Sequence, residues 1–335
     1  MTRRMIIPGG NGYLGRHLAE WFGNKGWDVT VLSRSPSGSS VARVLPWDGR
    51  TPGRWTTELD GADVVLNLAG RTVNCRYNEK NKQEIYASRL DSTRVIGEAI
   101  AGSKSPPPLW INAASATIYR HAEDRPMDEA TGEIGNGFSV DVCQKWEAAF
   151  FTADTPRTRN VALRAAMVMG PGTGGVFEAF YNIVRKRLGG TLGKGTQFVS
   201  WMHLVDFCRS IEFLIENSHI QGPINLSSPN PIPNREFMRI LRRAAGVKIG
   251  LPATKLMLEV GAFFLRTETE LLLKSRRVVP GRLLEAGFEF DFPDWSKAAA
   301  DIARAHRSDL ADKAGSPRPA RRQAVVQGLE GRQHI

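Results

Sequence analysis

The first half of the chain alternates short apolar runs with longer stretches whose apolar residues recur every three or four positions. The runs are 5–8, 28–33 ("DVTVLS"), 63–68 ("DVVLNL"), 109–114 ("LWINAA") and 161–164, with a weaker one at 41–46. Strands that are apolar on both sides predict a parallel sheet covered on both faces. The helical patterns fall at about 12–23, 80–101 and 136–150. In the last, "NGFSVDVCQKWEAAF", the residues Val142, Trp146, Ala149 and Phe150 share one side. Strand and helix in alternation predict an α/β protein with a doubly wound, Rossmann-type parallel sheet. Such sheets bind ligands beyond the carboxyl ends of their strands.

After Gly170 the rhythm changes. A glycine-rich loop, "GPGTGGVFEAF", enters a helix; a second helix is predicted at 202–216 and a short strand at 222–226, and the chain is mostly helical from Asn234 onward. Three parts follow from this. Residues 1–170 form a dinucleotide-binding domain to which the chain returns later. Residues 171–312 form a smaller, mostly helical substrate-side lobe that closes over the sheet's ligand edge. Residues 313–335 form a polar, basic tail expected to be disordered.

The stretch "IIPGGNGYLGRHLAEW" sets Gly9, Gly12 and Gly15 three residues apart, after a strand and at the opening of a helix. Glycines there allow a tight turn and let backbone approach a pyrophosphate, while the helix start offers free N–H groups. The second strand ends in "VLSRS". An acid at that point would bind the adenosine ribose hydroxyls and favour NAD; Ser33 and Arg34 instead suit a 2′-phosphate and favour NADP over NAD. Small Ala69 and Gly70 end "VLNLAG", where backbone can lie against a cofactor.

Composition narrows the remaining classes. The net charge of +11 is concentrated partly in the tail, where five basic residues stand against one acid from Lys313 onward. No aromatic–basic interleaving accompanies it, so a nucleic-acid partner is not expected. Three widely spaced cysteines and six scattered histidines give no disulfide framework and no metal motif. No apolar run approaches the ~20 residues a membrane span needs. The expectation is a cytoplasmic protein with no membrane contact.

These features, with "AASATIY", "LRAAMVMGPG" and "WMHLVDF", resemble the extended short-chain dehydrogenase/reductases, the group containing nucleotide-sugar epimerases and dehydratases. "RYNEKNKQEIYASRLDSTR", "CQKWEAA", "RLGGTLGKGTQFVSWMHLVD", "GPINLSSPNPIPNREFMRIL" and "RRVVPGRLLEAGFEF" narrow the likeness to an atypical epimerase-like subfamily with a small helical C-terminal domain of unknown function. The likeness covers roughly residues 3–305. It implies that Gly9, Gly12, Tyr13, Leu14 and Gly15 lie at the pyrophosphate, and that Ser33 and Arg34 take the 2′-phosphate. It implies that Leu68, Ala69 and Gly70 line the cofactor, with Glu84 and Arg89 reaching toward it. Ser115 is placed to bond a substrate oxygen and Tyr119 to contact substrate. His203 and Asp206 fit a substrate-side helix start, and homodimers through helices beside the sheet are common among such proteins.

Moving hydride to or from a carbonyl carbon also requires a positioned proton donor or acceptor. The broad family uses a tyrosine with a lysine four residues on, the lysine's charge lowering the phenol's pKa. Here Tyr13, Tyr77, Tyr86, Tyr119 and Tyr181 are followed at that spacing by His17, Asn81, Leu90, Glu123 and Arg185. Aligned on Glu147, the positions carry Ser139 and Cys143. Lys145 lies two residues on, about 200° around the helix from Cys143. Tyr119, or Ser115 with an ordered water, are the candidate substitutes. Arg71 replaces a common acid, so an anionic substrate is a further expectation. The best-supported function is an NADP(H)-binding, epimerase-like oxidoreductase acting on a small carbonyl or sugar-derived molecule. The alternative is an NADP(H)-binding regulator without turnover.

Overall fold

The computed structural model describes residues 2–35, 42–253 and 273–315. Six strands come first: β1 (Arg4–Pro8), β2 (Asp28–Ser33), β3 (Arg43–Pro46), β4 (Val64–Asn67), β5 (Leu109–Ser115) and β6 (Arg159–Ala165). Short strands follow at β7 (Met167–Met169), β8 (Phe198–Val199) and β9 (Trp201–His203). Then come β10 (Gly222–Leu226) and β11 (Ile232–Pro233). The main sheet is parallel with order β10-β6-β5-β4-β1-β2-β3. The reversal between β1 and β4 is the point at which such sheets bind ligands.

Alternation along the strands assigns the faces. Met5, Ile7, Val31, Val64, Leu66, Ile111 and Leu163 pack against α1 (Tyr13–Gly23) and, further along, α5 (Leu204–Glu216). Ile6, Leu32, Val65, Trp110 and Ala162 pack on the other face against α2 (Glu79–Ala101) and α3 (Phe138–Phe151). Burial on both faces is why these strands read as unbroken apolar runs. The smaller lobe is built on α4 (Val176–Arg185), α6 (Asn234–Ala244) and, after α7 (Gly281–Glu285), whose Leu283 joins the main sheet's core, α8 (Trp295–Gly315). Its core gathers Phe177, Phe180, Phe237, Leu241, Trp295 and Ile302, with Phe237 and Trp295 stacked at 4.3 Å.

The second helix predicted after Gly170 starts later than its apolar pattern suggested. Trp201–His203 is a strand paired with β7, and α5 opens only at Leu204. Trp201 and Met202 are both fully buried, a pattern that suits a strand with two covered faces. The basic tail predicted from Lys313 lies almost entirely outside the described residues. Among the described residues no helix is long and apolar enough to cross a membrane.

Candidate functional site

The carboxyl ends of β1, β2, β4 and β5 meet along one edge, and the predicted glycines organise its centre. Gly9 leaves β1 with φ +77°, a conformation that favours glycine, and a Cβ there would stand 2.7 Å from the backbone of Ala69. Gly15 lies so close to Gly10 that a Cβ would stand 2.4 Å from it. Gly12 starts α1 without a side-chain cap, and its own Cβ would meet only the Gly9 carbonyl oxygen at 3.6 Å. The first N–H groups of a helix have no internal partner, so this end of α1 stays open to an anion. The cradle therefore fits a dinucleotide's phosphates.

Tyr13 and Leu14 have structural duties in the same turn. Leu14 packs on the core, and the Tyr13 hydroxyl donates to the Pro171 carbonyl oxygen at 2.7 Å. A Cβ on Gly170 or Gly175 would strike the Tyr13 side chain within 2.7 Å. The tyrosine thus clamps α1 to the loop that enters α4. At the end of β2, Ser33 accepts from Asn11 Nδ2 at 2.9 Å and from the Ser35 N–H at 3.2 Å, and donates to the Ser35 carbonyl oxygen at 3.1 Å. Its hydroxyl folds the loop, and the expected 2′-phosphate contact rests on Arg34, which is exposed. Asn11, which sequence reasoning missed, also donates to the Ser35 carbonyl oxygen at 2.6 Å and ties the two loops together.

Leu68, Ala69 and Gly70 cross from β4 toward α2. The Leu68 N–H donates to the Pro8 carbonyl oxygen at 2.8 Å, which joins this turn to the glycine loop. A Cβ on Gly70 would lie 3.5 Å from the Arg89 guanidinium. That guanidinium donates to the carbonyl oxygens of Arg71 and Ile85 at 3.1 and 3.2 Å and lies 4.9 Å from the centre of the Trp146 ring. Burial pushes its pKa below the usual guanidinium value, and no carboxylate pairs with it among the described residues. Glu84 does not reach it; Glu84 pairs with Arg71, which also donates to Asn81 Oδ1 at 2.8 Å. The charge of Arg71 is thereby compensated by a carboxylate from α2, which weakens the case for its selecting an anionic substrate.

Beyond Arg89 lies a small cavity of about 100 Å³ at the end of β5. Its polar lining is Tyr77, Arg89, Ser115, Thr117, Ser139 and Cys143, and Val73, Ile85, Phe138, Val142 and Trp146 supply apolar wall. The positions that carry the proton-handling pair in the broad family do face this cavity, but they hold a hydroxyl and a thiol. Burial pushes the Cys143 thiol up to about 11, with Ser115 in hydrogen-bond contact, so the sulfur is protonated at neutral pH. Ser115 Oγ accepts from the Thr117 N–H at 3.2 Å and caps the short turn Ala116–Ile118. Lys145 points elsewhere: it pairs with Asp141 at 2.8 Å on the surface.

Tyr119, the other candidate catalytic group, does not line this cavity. It is fully buried, and its hydroxyl is engaged away from the cavity. The oxygen donates to Asn225 Oδ1 at 2.9 Å and accepts from Arg164 Nη1 at 2.8 Å. Arg164 in turn grips Glu147 through two bonds of 2.8 and 2.7 Å. Glu129, also missed in the sequence, accepts from the Asn225 N–H at 2.7 Å. His203 and Asp206 likewise hold structure. His203 Nδ1 accepts from the Val205 N–H at 3.1 Å and caps α5. Asp206, fully buried, accepts from the N–H groups of Asp291 and Phe292, each at 2.9 Å.

Sheet order, switch point and glycine cradle together define a Rossmann-type protein. The profile of the NAD dependent epimerase/dehydratase family matches residues 5–227, and the chain belongs to that family. A domain of unknown function, DUF1731, matches residues 253–302. The chain is 31% identical over 305 residues to the epimerase family protein SDR39U1 of Bos taurus, covering 89% of this chain and 99% of that protein. Among solved structures it is similar to human SDR39U1 (isoform 2) with NADPH, at TM-score 0.80 and 29% identity over 90% of this chain and 99% of that one. A nucleoside-diphosphate sugar epimerase from Corynebacterium glutamicum is also similar, at TM-score 0.72 and 27% identity, over 94% of this chain and 61% of the other.

Proposed function

We propose that the protein binds NADP(H) and acts as an epimerase-like oxidoreductase on a small carbonyl or sugar-derived substrate, without a Tyr-x-x-x-Lys pair. The observation that carries this reading is the layout of one edge. An open helix start beside Gly9, Gly12 and Gly15 leads past Gly70 and Arg89 to a cavity lined by hydroxyls. The human relative solved with NADPH supports the same cofactor here. When bound, the cofactor supplies or removes hydride. The chain's part is to bind and to move a proton. The backbone of the glycine loop would hold the pyrophosphate, Arg34 the 2′-phosphate, and Arg89 a further polar group near Gly70. Ser115, with an ordered water, would hold the proton at a substrate oxygen, and the neutral thiol of Cys143 beside it would orient that hydroxyl.

The direct test is cofactor titration. Losing a charged hydrogen bond costs ~1.5–3 kcal/mol, so Arg34→Ala should weaken NADPH by roughly 10- to 100-fold and leave NADH nearly unchanged. Equal weakening of both would refute the role of Arg34, and no affinity for either would refute the reading. A second reading, a nucleotide-binding regulator without turnover, is favoured by Ser139 and Cys143 standing where the proton-handling pair would be. NADPH binding unaffected by Ser115→Ala, with no turnover in either protein across a panel of small carbonyl compounds and sugar nucleotides, would support that alternative. The proposal includes a homodimer through α2 and α3. An open groove of about 600 Å³ between them, lined by Gly97, Ala101, Ala148 and Ala149, supports it. Sedimentation at the monomer mass would rule it out.

A further inference from the structure

Among the described residues the three most exposed large apolar side chains are Ile249, Leu251 and Leu188, at 68, 57 and 51%. They are far apart in sequence but belong to one surface of the smaller lobe. The Leu251 N–H donates to the Arg187 carbonyl oxygen at 2.8 Å, and the Gly190 N–H to the Leu251 carbonyl oxygen at 3.0 Å. Arg242 Nη1 holds the Gly189 carbonyl oxygen at 2.8 Å and fixes the end of α6 to the same loop. Exposed Lys186, Arg187 and Lys248 flank the apolar tips. Over residues 185–194 and 235–251 there are nine basic residues and a single acid, Glu236, which pairs with Arg239 at 3.2 Å.

The backbone at Arg187 adds an independent observation. Among the described residues it is the only non-glycine with positive φ, at 61°. Its N–H donates to the Val184 carbonyl oxygen at 2.9 Å, and that of Leu188 to the Ile183 carbonyl oxygen at 3.1 Å. Those two bonds close α4 in a motif that usually takes glycine at this position. An arginine there is conformationally unfavourable, and it sets a cation directly beside an exposed leucine.

We propose that this surface docks the protein peripherally on an anionic lipid bilayer. Leu188, Ile249 and Leu251 enter the boundary between headgroups and acyl chains, and Lys186, Arg187 and Lys248 meet lipid phosphates. Apolar tips rimmed by cations suit that boundary. They gain nothing against a nucleic-acid backbone, and isolated tips on two loops give a protein partner little to enclose. The sequence suggested no membrane contact because the two halves of the patch are about sixty residues apart in the chain.

The test is co-sedimentation of the full-length protein with vesicles of phosphatidylcholine, alone or mixed with phosphatidylglycerol. Binding should need the anionic lipid and weaken with salt. Replacing Leu188, Ile249 and Leu251 together by serine leaves the charge unchanged and should reduce binding by at least about tenfold. Lys186→Glu with Lys248→Glu should do the same through the electrostatic half. Retained near-ultraviolet circular dichroism and NADPH affinity would show that both variants are folded. The proposal is overturned if the serine variant binds as the parent does, which would assign binding to the basic tail. It is also overturned if the parent ignores anionic vesicles, or if it prefers RNA with no dependence on the three apolar residues.

Discussion

Replacing Tyr119 by phenylalanine removes one oxygen atom from the interior and leaves the ring, against which Gly132 is packed, in place. The change strands two buried groups. Arg164 Nη1 loses its acceptor, and Asn225 Oδ1 loses the hydroxyl that donates to it. Arg164 keeps its paired bonds to Glu147, so its charge remains compensated. A hydrogen bond to a charged donor contributes ~1.5–3 kcal/mol and a neutral one ~0.5–1.5, which together put the destabilisation of Tyr119→Phe at roughly 2–4 kcal/mol. Denaturant unfolding followed by circular dichroism reads that loss, and NADPH titration with any turnover assay reads function. The expected result is a less stable protein that binds cofactor as before. A variant of unchanged stability that has lost turnover would refute the structural assignment and return Tyr119 to catalysis.

Three further outcomes follow from the geometry. Gly9→Ala combines a left-handed φ with a Cβ placed 2.7 Å from Ala69; it should destabilise by roughly 2–4 kcal/mol in thermal unfolding and abolish NADPH binding. His203, buried against Phe292, has its pKa lowered by desolvation from 6.5 to about 4, with Asp301 opposing the shift. The unfolded chain therefore takes up that proton first, and the contribution to stability is full above pH 6.5 and lost as pH falls toward 4. His203→Asn keeps an acceptor for the Val205 N–H and should flatten the pH dependence of unfolding across that window; an unchanged slope would assign it to other groups. Arg187→Gly should stabilise by about 0.5–1 kcal/mol in denaturant unfolding while weakening vesicle binding, and a loss of stability would contradict the left-handed assignment.

The sheet was legible because each strand is buried on both faces and so leaves an uninterrupted apolar run. The glycine loop was legible because two of its three spaced glycines, Gly9 and Gly15, answer a steric demand that no other residue meets. Side-chain direction was not. In "AASATIY", Ser115 and Tyr119 are four residues apart and look equivalent as hydroxyl donors. The turn Ala116–Ile118 sends the serine to the cavity and the tyrosine beneath the sheet's edge. His203 and Asp206 looked like substrate groups because polar residues at a helix start serve either purpose; their partners, Val205 on one side and Asp291 with Phe292 on the other, settle it. Glu84 and Arg71 could be paired only by bringing the end of β4 against α2, a contact that no local pattern announces. Asn11 and Glu129 bond mainly to backbone or amide groups far along the chain, which leaves no periodic mark.

The bond from Tyr119 to Asn225 spans 106 residues, and it has a consequence for the order in which the nascent chain matures. The first six strands can emerge from the ribosome and associate while β10 is still unsynthesised. Until Asn225 arrives, the Tyr119 hydroxyl has Arg164 but lacks its acceptor, and the outer flank of β6 is unpaired. A polypeptide halted near Gly170 therefore carries the cofactor loop but an unfinished sheet edge, the kind that recruits other chains. Excised at Gly170, the nucleotide half should therefore be less soluble than the full chain, because the strand that covers its edge is made some fifty residues later.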